Sequence, residues 1–593
     1  MAAKTKLELT WIGKDNRPRL EPRILIEEPE FSHHASTRRE GDIFDNMLIH
    51  GDNLLALKAL ETDPAVRGKV KCIYIDPPYN TGNAFERYED GLEHSLWLSL
   101  MRERIISLRN LLSEDGFFCC QIDDNESSYL KVMLDEIFGR GNYLTTFYMQ
   151  VRYGNKSLAE DSDYQKVIEQ CHIYAKNSLF GKAVKEKQEY KVEKFEWEID
   201  ELEQGYAFEA GGKRVELFKQ SQYKIRKVES HLQALKETWA TGSLVRQKGS
   251  SGEFLDKILI PRKSEDGLSC LYKVYGIGED GLGYRYMTGP KKDTATKGKF
   301  YSGIPLKTLA DLKSGHSLKE KPIENFYDLA GSFGNCRHEG GVDFGAGKKP
   351  ERLIEIILQH FSRPGDLVLD SFAGSGTTGA VAHKMGRRWI MVELGEHART
   401  HIVPRMKKVI DGTDKGGVTE AAGWKGGGGY RFFRLAPSLL QKDTWGNWVI
   451  SKDYNAEMLA EAMCKHFNYV YAPSTEAYWM HGQGSENAFI YVTTASLTIE
   501  QLRAISDEVG EDRSLLICCM AYEAQGESLS NLTLKKIPRV VLDRCEWGQD
   551  DYSLKINALP MAEDEPDDID DTPAPKKSAK AKAADTPDLF GAE

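Results

Sequence analysis

The segment "VKCIYIDPPYNTGN", residues 70 to 83, joins an apolar run to a loop that carries an aspartate, two prolines and a tyrosine. The run "VKCIYI" is rich in apolar and β-branched residues, and this composition predicts a buried strand. Asp76 follows directly, so the loop begins at the carboxyl end of the strand. Pro77 and Pro78 fix two φ angles and restrict the residues before them. The segment therefore predicts a stiff loop that presents a carboxylate, a backbone carbonyl and an aromatic ring at a sheet edge.

Strand and helix patterns alternate on both sides of this loop. "MLIHGDNLLALKALE" (47–61) predicts a strand, a turn and a helix, and "SLWLSLMRERIISLRNLL" (95–112) predicts a helix that leads into the strand "GFFCCQI" (116–122). The alternation returns after residue 340, with a helix in "KKPERLIEIILQHF" (348–361) and a strand in "RRWIMVEL" (387–394). This order predicts an α/β fold with a Rossmann-like, doubly wound parallel sheet.

The chain of 593 residues is longer than one core usually supports, so several domains are expected. Residues 436 to 560 carry further strand and helix patterns and predict a small C-terminal α/β domain. The composition shifts predict an N-terminal arm (1–45), a first half of the α/β domain (46–150), an insert (151–340), a second half (341–435), the accessory domain (436–560) and a disordered, low-complexity tail (561–593).

The insert differs in charge from the rest of the chain. The whole chain has a formal net charge of −11, whereas residues 211 to 330 contain 22 Lys and Arg against 14 Asp and Glu. Tyrosines are interleaved with these bases, as in "LYKVYGIGEDGLGYRYMTGPKKDTATKGKFYSG". Basic groups with interleaved aromatics are typical of surfaces that bind a phosphate backbone and exposed bases. A solvated, loop-rich domain accounts for the same composition.

The cysteines and the apolar runs indicate the cellular compartment. The ten cysteines form no C-x-x-C pair and lie in part in apolar runs, which favours buried thiols in a reducing compartment over zinc ligands or disulfides. The N-terminus lacks the apolar core of a signal peptide, and no run reaches the roughly 18 apolar residues of a membrane span. We therefore expect a cytoplasmic protein.

A second glycine-rich loop lies at "DSFAGSGTTG", residues 370 to 379. A strand that ends in Asp370, followed by Gly374 and Gly376 and then a helix, lets the backbone approach a ligand closely. The loop is not a P-loop, because no lysine follows the glycines. Glu393 ends the next predicted strand, where it could accept hydrogen bonds from ribose hydroxyls. The pattern predicts a site for a nucleoside cofactor without a polyphosphate.

The two loops together resemble a known family. "DPPY" at 76 to 79 with "FAGSGTTG" at 372 to 379 resembles the amino-methyltransferases that use S-adenosylmethionine to modify the exocyclic amine of adenine or cytosine in DNA. The catalytic motif precedes the cofactor motif, as in the β group of these enzymes. "LIHGDN" (48–53) and "RYGNKSLAEDSDYQKVIEQCHIYAKN" (152–177) are similar to the modification (Mod) subunits of type III restriction systems. The resemblance implies a DNA methyltransferase whose insert is the target-recognition domain.

The resemblance also implies roles for the residues of the first loop. Asp76 and the carbonyl of Pro77 would accept the two N–H groups of the target amine, and Pro78 would keep the loop stiff. Tyr79 would stack on a base that has left the duplex, and residues 80–83 could close the loop over it. The positive sulfonium of the cofactor is its own electrophile, so no metal is expected.

A second set of residues is implied to hold S-adenosylmethionine. Glu393 would bind the ribose, and Asp52 would contact the adenine end. Lys349, Thr377 and Thr378 are candidate partners of the methionine carboxylate. Phe372, Gly374 and Gly376 would form the turn beneath the methionine portion, and Asp370, which ends the strand before them, belongs to the same implied cofactor-binding set.

The identity of the base and of the partners is less constrained. Asp rather than Ser at position 76 favours adenine N6, because the related cytosine-N4 enzymes commonly read S-P-P-Y. A cytosine-N4 methyltransferase, or a subunit that mainly positions a nuclease or helicase partner, stays an alternative. The family implies duplex DNA, a homodimer and a restriction subunit as partners. Asp588, Leu589 and Phe590 resemble the end of motifs that bind the replication sliding clamp, although an uncommitted tail is the simpler interpretation.

Overall fold

The computed structural model describes residues 8–79, 90–154, 164–239, 250–295, 298–314, 318–344, 347–523 and 529–553. The chain forms two compact units, one of residues 1–182 and 326–593 and the other of residues 183–325. The predicted tail, the loop residues 80–83 and the Asp588–Phe590 motif lie outside the described residues.

The first unit is built on a mixed sheet that has eleven strands among the described residues. The strands are β1 (Leu25–Glu27), β2 (His33–His34), β3 (Asn46–His50), β4 (Val70–Ile75), β5 (Leu112–Ile122), β6 (Tyr143–Gln150), β7 (Ile168–Ala175), β8 (Phe326–Asp328), β9 (Leu367–Asp370), β10 (Arg388–Glu393) and β11 (Gly429–Leu435). The predicted α/β class and the strand "VKCIYI" are confirmed.

The centre of this sheet is parallel. Its spatial order is β1-β11-β3-β10-β9-β4-β5-β7-β6-β8, with β2 also paired to β11, and the run from β11 to β5 is parallel throughout. From β4 the chain continues to β5 on one side, and from β9 it continues to β10 on the other. The sheet therefore has a topological switch point between β4 and β9, which is where open α/β sheets bind ligands.

Helices cover the sheet because their apolar residues recur at helical spacing. Among the described residues, the α-helices of the first unit are α1 (Asn53–Glu61), α2 (Asp90–Leu111), α3 (Ser127–Leu134), α4 (Ala330–Asn335), α5 (Glu351–Phe361), α6 (Thr377–Lys384), α7 (Val403–Ile410), α8 (Ala456–Phe467) and α9 (Ile499–Val509). Buried side chains of α1, α2 and α3 share one core with the central strands, as Leu57, Ile105, Leu130, Ile73 and Leu369 illustrate. Burial of this core holds both predicted loops at one edge of the sheet.

The strand β7 lies inside the range 151–340 that the sequence assigned to the insert. It pairs antiparallel with both β5 and β6 and is therefore part of the central sheet. The compact second unit begins at residue 183 and ends at residue 325, so its limits differ from the predicted boundaries on both sides. The difference arises because strand order, which periodicity does not report, places β7 between two earlier strands.

The second unit contains a six-stranded antiparallel sheet where the sequence showed no regular alternation. In spatial order its strands are Tyr206–Ala210, Lys213–Phe218, Leu271–Tyr275, Tyr284–Thr288, Lys299–Ser302 and Lys236–Trp239. Two further strand pairs accompany it, Trp197–Glu201 with Tyr223–Lys227 and Lys187–Glu189 with Leu318–Glu320, as do the helices Ser250–Phe254, Lys263–Asp266 and Leu306–Lys313.

The excess of positive charge in this unit is smaller than the excess counted over residues 211–330. Residues 183–325 contain 26 Lys and Arg against 22 Asp and Glu, an excess of four positive charges. Several of the bases are paired within the unit, such as Lys273 with Glu201 at 2.9 Å and Lys299 with Glu237 at 2.8 Å. The ammonium of Lys273 also lies 4.3 Å from the ring centroid of Tyr284.

Residues 436–553 form the predicted small α/β region. A five-stranded sheet, with α8 and α9 beside it, runs in the order Val470–Tyr471, Gly482–Ser485, Ala488–Val492, Ser514–Cys519 and Leu532–Lys536. Two strand pairs complete it, Leu440–Lys442 with Trp448–Ile450 and Ser496–Leu497 with Ala521–Tyr522. Its core includes Ile24, so the N-terminal segment packs against this region.

Two further sequence expectations can be compared with the structure. All ten cysteines are free and buried, as the apolar runs around them predicted. None of the helices in the described part of the chain combines the length and the apolar character that a membrane crossing requires.

Candidate functional site

The candidate site lies at the carboxyl ends of four neighbouring strands, β3, β10, β9 and β4. Asp52 follows β3, Glu393 ends β10, Asp370 ends β9 and Asp76 follows β4. Because parallel strands share one carboxyl edge, the topology brings together residues that are up to 341 positions apart in the sequence.

The Asp-Pro-Pro-Tyr loop is held by hydrogen bonds at both of its ends. The Tyr79 hydroxyl donates to Asp76 Oδ1 at 2.8 Å, which closes the loop on itself. The indole of Trp97 on α2 donates to the carbonyl of Pro78 at 3.0 Å. Lys349 Nζ lies 3.2 Å from Asp76 Oδ2 and 3.0 Å from the Tyr79 hydroxyl. The loop therefore presents Asp76 in a fixed orientation.

Sequence reasoning missed a second carboxylate, Glu169, beside this loop. Its Oε2 lies 3.0 Å from the Tyr79 hydroxyl and 3.3 Å from Lys349 Nζ. The amide of Gln121 also donates to this oxygen, and Tyr74 donates to the amide carbonyl of Gln121 at 2.6 Å. No local motif marks Glu169, although the segment 152–177 that contains it carries the type III resemblance.

Burial and the neighbouring charges shift the pKa values of the titratable groups in and beside the loop. Burial raises the pKa of Asp76, the Lys349 ammonium lowers it, and the nearby charge of Glu169 raises it further, with a raised value as the result. Burial alone would lower the pKa of Lys349, but its pairs with Asp76 and Glu169 outweigh this effect and raise it. Burial also raises the pKa of the Tyr79 phenol well above its ordinary value, so that this hydroxyl stays neutral.

The glycine-rich turn after β9 is fixed from both sides. Asp370 accepts from the backbone N–H of Phe372 at 2.9 Å and from the Thr378 hydroxyl at 2.5 Å. Glu393 accepts from the N–H of Gly374 at 2.7 Å, so the carboxylate that ends β10 lies directly at the turn. Gly376 has a φ of +77°, a left-handed conformation that favours glycine, and is the N-cap of α6.

Three residues that were predicted to hold the carboxylate of a cofactor have partners within the protein. Lys349 pairs with Asp76, as described above, and its backbone carbonyl accepts from Thr377 Oγ1 at 3.2 Å. Thr377 also accepts from Arg405 at 2.8 Å, and Thr378 donates to Asp370. The predicted contacts of these groups with a cofactor stay predictions.

Asp52 is the N-cap of α1, where its Oδ1 accepts from the N–H groups of Leu54 and Leu55. Its Oδ2 lies 3.3 Å from Arg104 on α2 and accepts from the N–H of Tyr552 at 3.1 Å. Asp52 and Arg104 are almost fully buried, at 1% and 2% exposure of their side chains. The carboxylate thus joins a helix start, a buried arginine and the C-terminal segment.

A cavity of about 190 Å³ lies between the two loops. Its apolar lining includes Trp97, Leu100 and Phe372, and its polar lining includes Asn53, Ser371 and Glu393. Pro78 also lines it, so the Asp-Pro-Pro-Tyr loop and the glycine-rich turn open onto one space. Ser371 Oγ is buried there without a hydrogen-bond partner among the described residues. An apolar surface, a carboxylate and an unpartnered hydroxyl fit the base and ribose of a nucleoside.

The fold and this site define a Rossmann-like α/β protein with a nucleoside-type cavity at the carboxyl edge of its sheet. The sequence matches the family model described as DNA methylase over residues 70–403, more than half of the chain. The protein belongs to the DNA methylase family.

Several relatives are named as Mod subunits of type III restriction-modification enzymes. The probable HindVI Mod subunit of Haemophilus influenzae is 31% identical over 415 residues, which cover 67% of this chain and 55% of that protein. The EcoPI Mod subunit of Escherichia phage P1 is 27% identical, over 64% of this chain and 62% of that protein. The EcoP15I Mod subunit of Escherichia coli is 23% identical, over 86% and 85%. The chain thus spans about three fifths of the first two relatives.

Proposed function

We propose that this protein transfers a methyl group from S-adenosylmethionine to the N6 amine of adenine in a specific sequence of duplex DNA. The observation that carries the proposal is the shared cavity, which the Asp-Pro-Pro-Tyr loop borders at Pro78, the glycine-rich turn at Phe372 and the end of β10 at Glu393. S-Adenosylmethionine supplies an electrophilic sulfonium methyl group. The protein therefore has to bind the two substrates against each other and activate a weakly nucleophilic amine.

The amine of adenine is a poor nucleophile because its lone pair is delocalised into the ring. Asp76 and the carbonyl of Pro77 would accept its two N–H bonds and so concentrate electron density on nitrogen as it attacks. Trp97 engages the carbonyl of the neighbouring Pro78, which fixes the plane of the loop. Tyr79 would stack on the flipped base through its ring while its hydroxyl keeps its polar partners at the ring edge.

The cofactor would be held by the opposite side of the cavity. Glu393 is oriented by the N–H groups of Gly374 and Gly395, at 2.7 and 3.0 Å, and would accept from the ribose hydroxyls. Ser371 Oγ would gain a polar partner there. Asp52 lines the cavity and holds the start of α1 and Arg104, which form part of the cavity wall. The glycine-rich turn would lie beneath the methionine portion of the cofactor.

Partners follow from the same proposal. We expect the second unit to recognise DNA, and a restriction subunit to associate with this chain as the names of the Mod relatives suggest. A homodimer, a cytoplasmic location and a sliding-clamp contact through Asp588, Leu589 and Phe590 complete the proposal. Cytosine N4 is the second candidate acceptor, because the matched family model is described as DNA methylase and does not select between the two bases.

The proposal is tested with Asp76→Ala. The purified protein is incubated with unmethylated bacterial genomic DNA and methyl-labelled S-adenosylmethionine, and the nucleosides are analysed by mass spectrometry. We expect N6-methyladenine from the wild type and at least a hundredfold less from the variant, because one acceptor of the amine is gone. Binding of cofactor and of DNA should persist.

Persistent binding of cofactor and DNA by Asp76→Ala distinguishes a loss of catalysis from a loss of fold. Glu420→Gln, a substitution of an exposed glutamate outside the site, should methylate like the wild type. Normal methylation by Asp76→Ala would contradict the assigned role. N4-methylcytosine as the only product would replace adenine by the second candidate.

A further inference from the structure

Glu169 lies beside the Asp-Pro-Pro-Tyr loop although it comes from β7, a strand that belongs to neither the catalytic nor the glycine-rich loop. We propose that Glu169 is a positioning residue of methyl transfer, which shares Lys349 and the Tyr79 hydroxyl with Asp76 and so sets the charge that Asp76 presents to the amine. The inference rests on the proposed function and adds to it a residue outside both loops. Glu169 is held by strand register, since Ile122 at the end of β5 pairs with the neighbouring Gln170.

The Tyr79 hydroxyl lies within hydrogen-bonding distance of both carboxylates. It lies 2.8 Å from Asp76 Oδ1 and 3.0 Å from Glu169 Oε2, and one O–H donates to only one of them at a time. When a target amine reaches Asp76, the hydroxyl can turn to Glu169 and release Oδ1 for the amine. Without Glu169 this move would leave a partly buried hydroxyl without a carboxylate acceptor, which is costly.

The ammonium of Lys349 lies between the two carboxylates. It is 3.2 Å from Asp76 Oδ2 and 3.3 Å from Glu169 Oε2, and its side chain is only 10% exposed. One ammonium group therefore serves two carboxyl groups. Gln121, itself held by Tyr74, donates to Glu169 and keeps the shared carboxylate in place. Asp76 thus receives only part of the neutralising charge of Lys349.

The two neighbours of Asp76 act on its charge in opposite directions. The titratable groups that face Asp76 are Lys349, Glu169, Tyr79, Tyr74, Asp370 and Cys120. Burial raises the pKa of Asp76 most, Lys349 lowers it and Glu169 raises it. Removal of the Glu169 charge should lower this pKa and also release Lys349 to Asp76 alone. Removal of the Lys349 charge should raise it.

The test measures the rate of single-turnover methylation against pH, with enzyme in excess over genomic DNA. Methylation requires ionised Asp76, so the acidic limb of the profile follows its protonation. We expect Glu169→Gln to shift this limb by about one pH unit toward lower pH, and Lys349→Met to shift it by a similar amount toward higher pH. Glu169→Asp keeps the charge and should leave the limb near that of the wild type.

Each outcome decides between a positioning role and a merely structural one. Thermal melting and cofactor binding first establish that each variant is folded, and Glu420→Gln serves as the matched acid-to-amide control. A slower Glu169→Gln enzyme whose acidic limb does not move, or moves to higher pH, would overturn the inference and leave the proposed function intact. If the wild type transfers no methyl group to DNA, both the proposed function and this inference are wrong.

Discussion

Asp370 is a fully buried carboxylate at the carboxyl end of β9. Burial raises its pKa to about 7, although the Thr378 hydroxyl and the Phe372 N–H lower it, and the charges of Asp76 and Glu393 raise it further. Asp370 is therefore protonated in the folded state at mildly acidic pH. This cluster of carboxylates at one sheet edge makes stability depend on pH.

The pH dependence can be tested with Asp370→Asn. The pKa of Asp370 is raised in the folded state, so its contribution to stability is complete below its ordinary pKa and is lost as the pH rises to about 7. The wild type should therefore lose up to about 4 kcal/mol from this group between pH 4 and 7, and Asp370→Asn should lose none of it. Thermal melting at pH 5 and pH 7 measures the difference. Asp512→Asn, at the exposed surface, is the control, and an equal decline in the two variants would contradict the assignment.

At the scale of elements, the start of α6 shows how a loop and a helix are adjusted to each other. Gly376 is the N-cap of α6, and a Cβ atom added there would lie 2.8 Å from the side chain of Ile402. Gly374, two residues earlier, also has a positive φ, but an added Cβ would have its nearest neighbour at 4.0 Å. The two glycines therefore share a left-handed conformation in which a side chain would be strained, and they differ in the space around them.

The difference predicts unequal costs for two matched substitutions. Gly376→Ala should lower the free energy of unfolding by about 2–4 kcal/mol, because left-handed strain and overpacking against Ile402 add. Gly374→Ala should cost only about 1–2 kcal/mol, from strain alone. Urea denaturation, followed by the fluorescence of tryptophans such as the buried Trp389, measures the free energy of unfolding of both variants. Equal losses of unfolding free energy in the two variants would show that the Ile402 side chain moves aside without a measurable cost.

At the scale of the whole molecule, the C-terminal segment returns to the candidate cofactor cavity. Arg104 donates to the carbonyl of Tyr552 at 3.3 Å, the N–H of Tyr552 donates to Asp52, and Ser553 lines the cavity. Asp550 pairs with the buried Arg23 of the N-terminal segment at 2.7 Å. The small α/β region is thereby connected to the edge of the sheet that carries the proposed chemistry.

A truncation tests this connection. A chain that ends at Gly548 should bind S-adenosylmethionine about tenfold more weakly, because the buried Asp52 and Arg104 each lose a charge-assisted partner. A chain that ends at Pro560 keeps the described segment and should bind like the full-length protein. Isothermal titration calorimetry measures both. Equal affinity of the two truncated chains would exclude a role of residues 549–553 in the cofactor site.

Four features could be predicted from the amino-acid sequence alone: the α/β class, the strand before Asp76, the glycine turn after Asp370 and the family resemblance. These features are local, since hydrophobic period, proline stiffness and glycine turns act within a few residues. The family resemblance made Lys349 a candidate partner of the cofactor, which stays a prediction, and its pair with Asp76 was found only in the structure.

Only the tertiary structure decided which distant side chains meet. Glu169 reaches Asp76 because β7 enters the sheet antiparallel beside β5, and Tyr552 reaches Asp52 because the chain returns after 500 residues. Strand order and chain return depend on long-range packing, which leaves no periodic signal in the sequence. The limits of the second unit, residues 183 and 325, were decided in the same way.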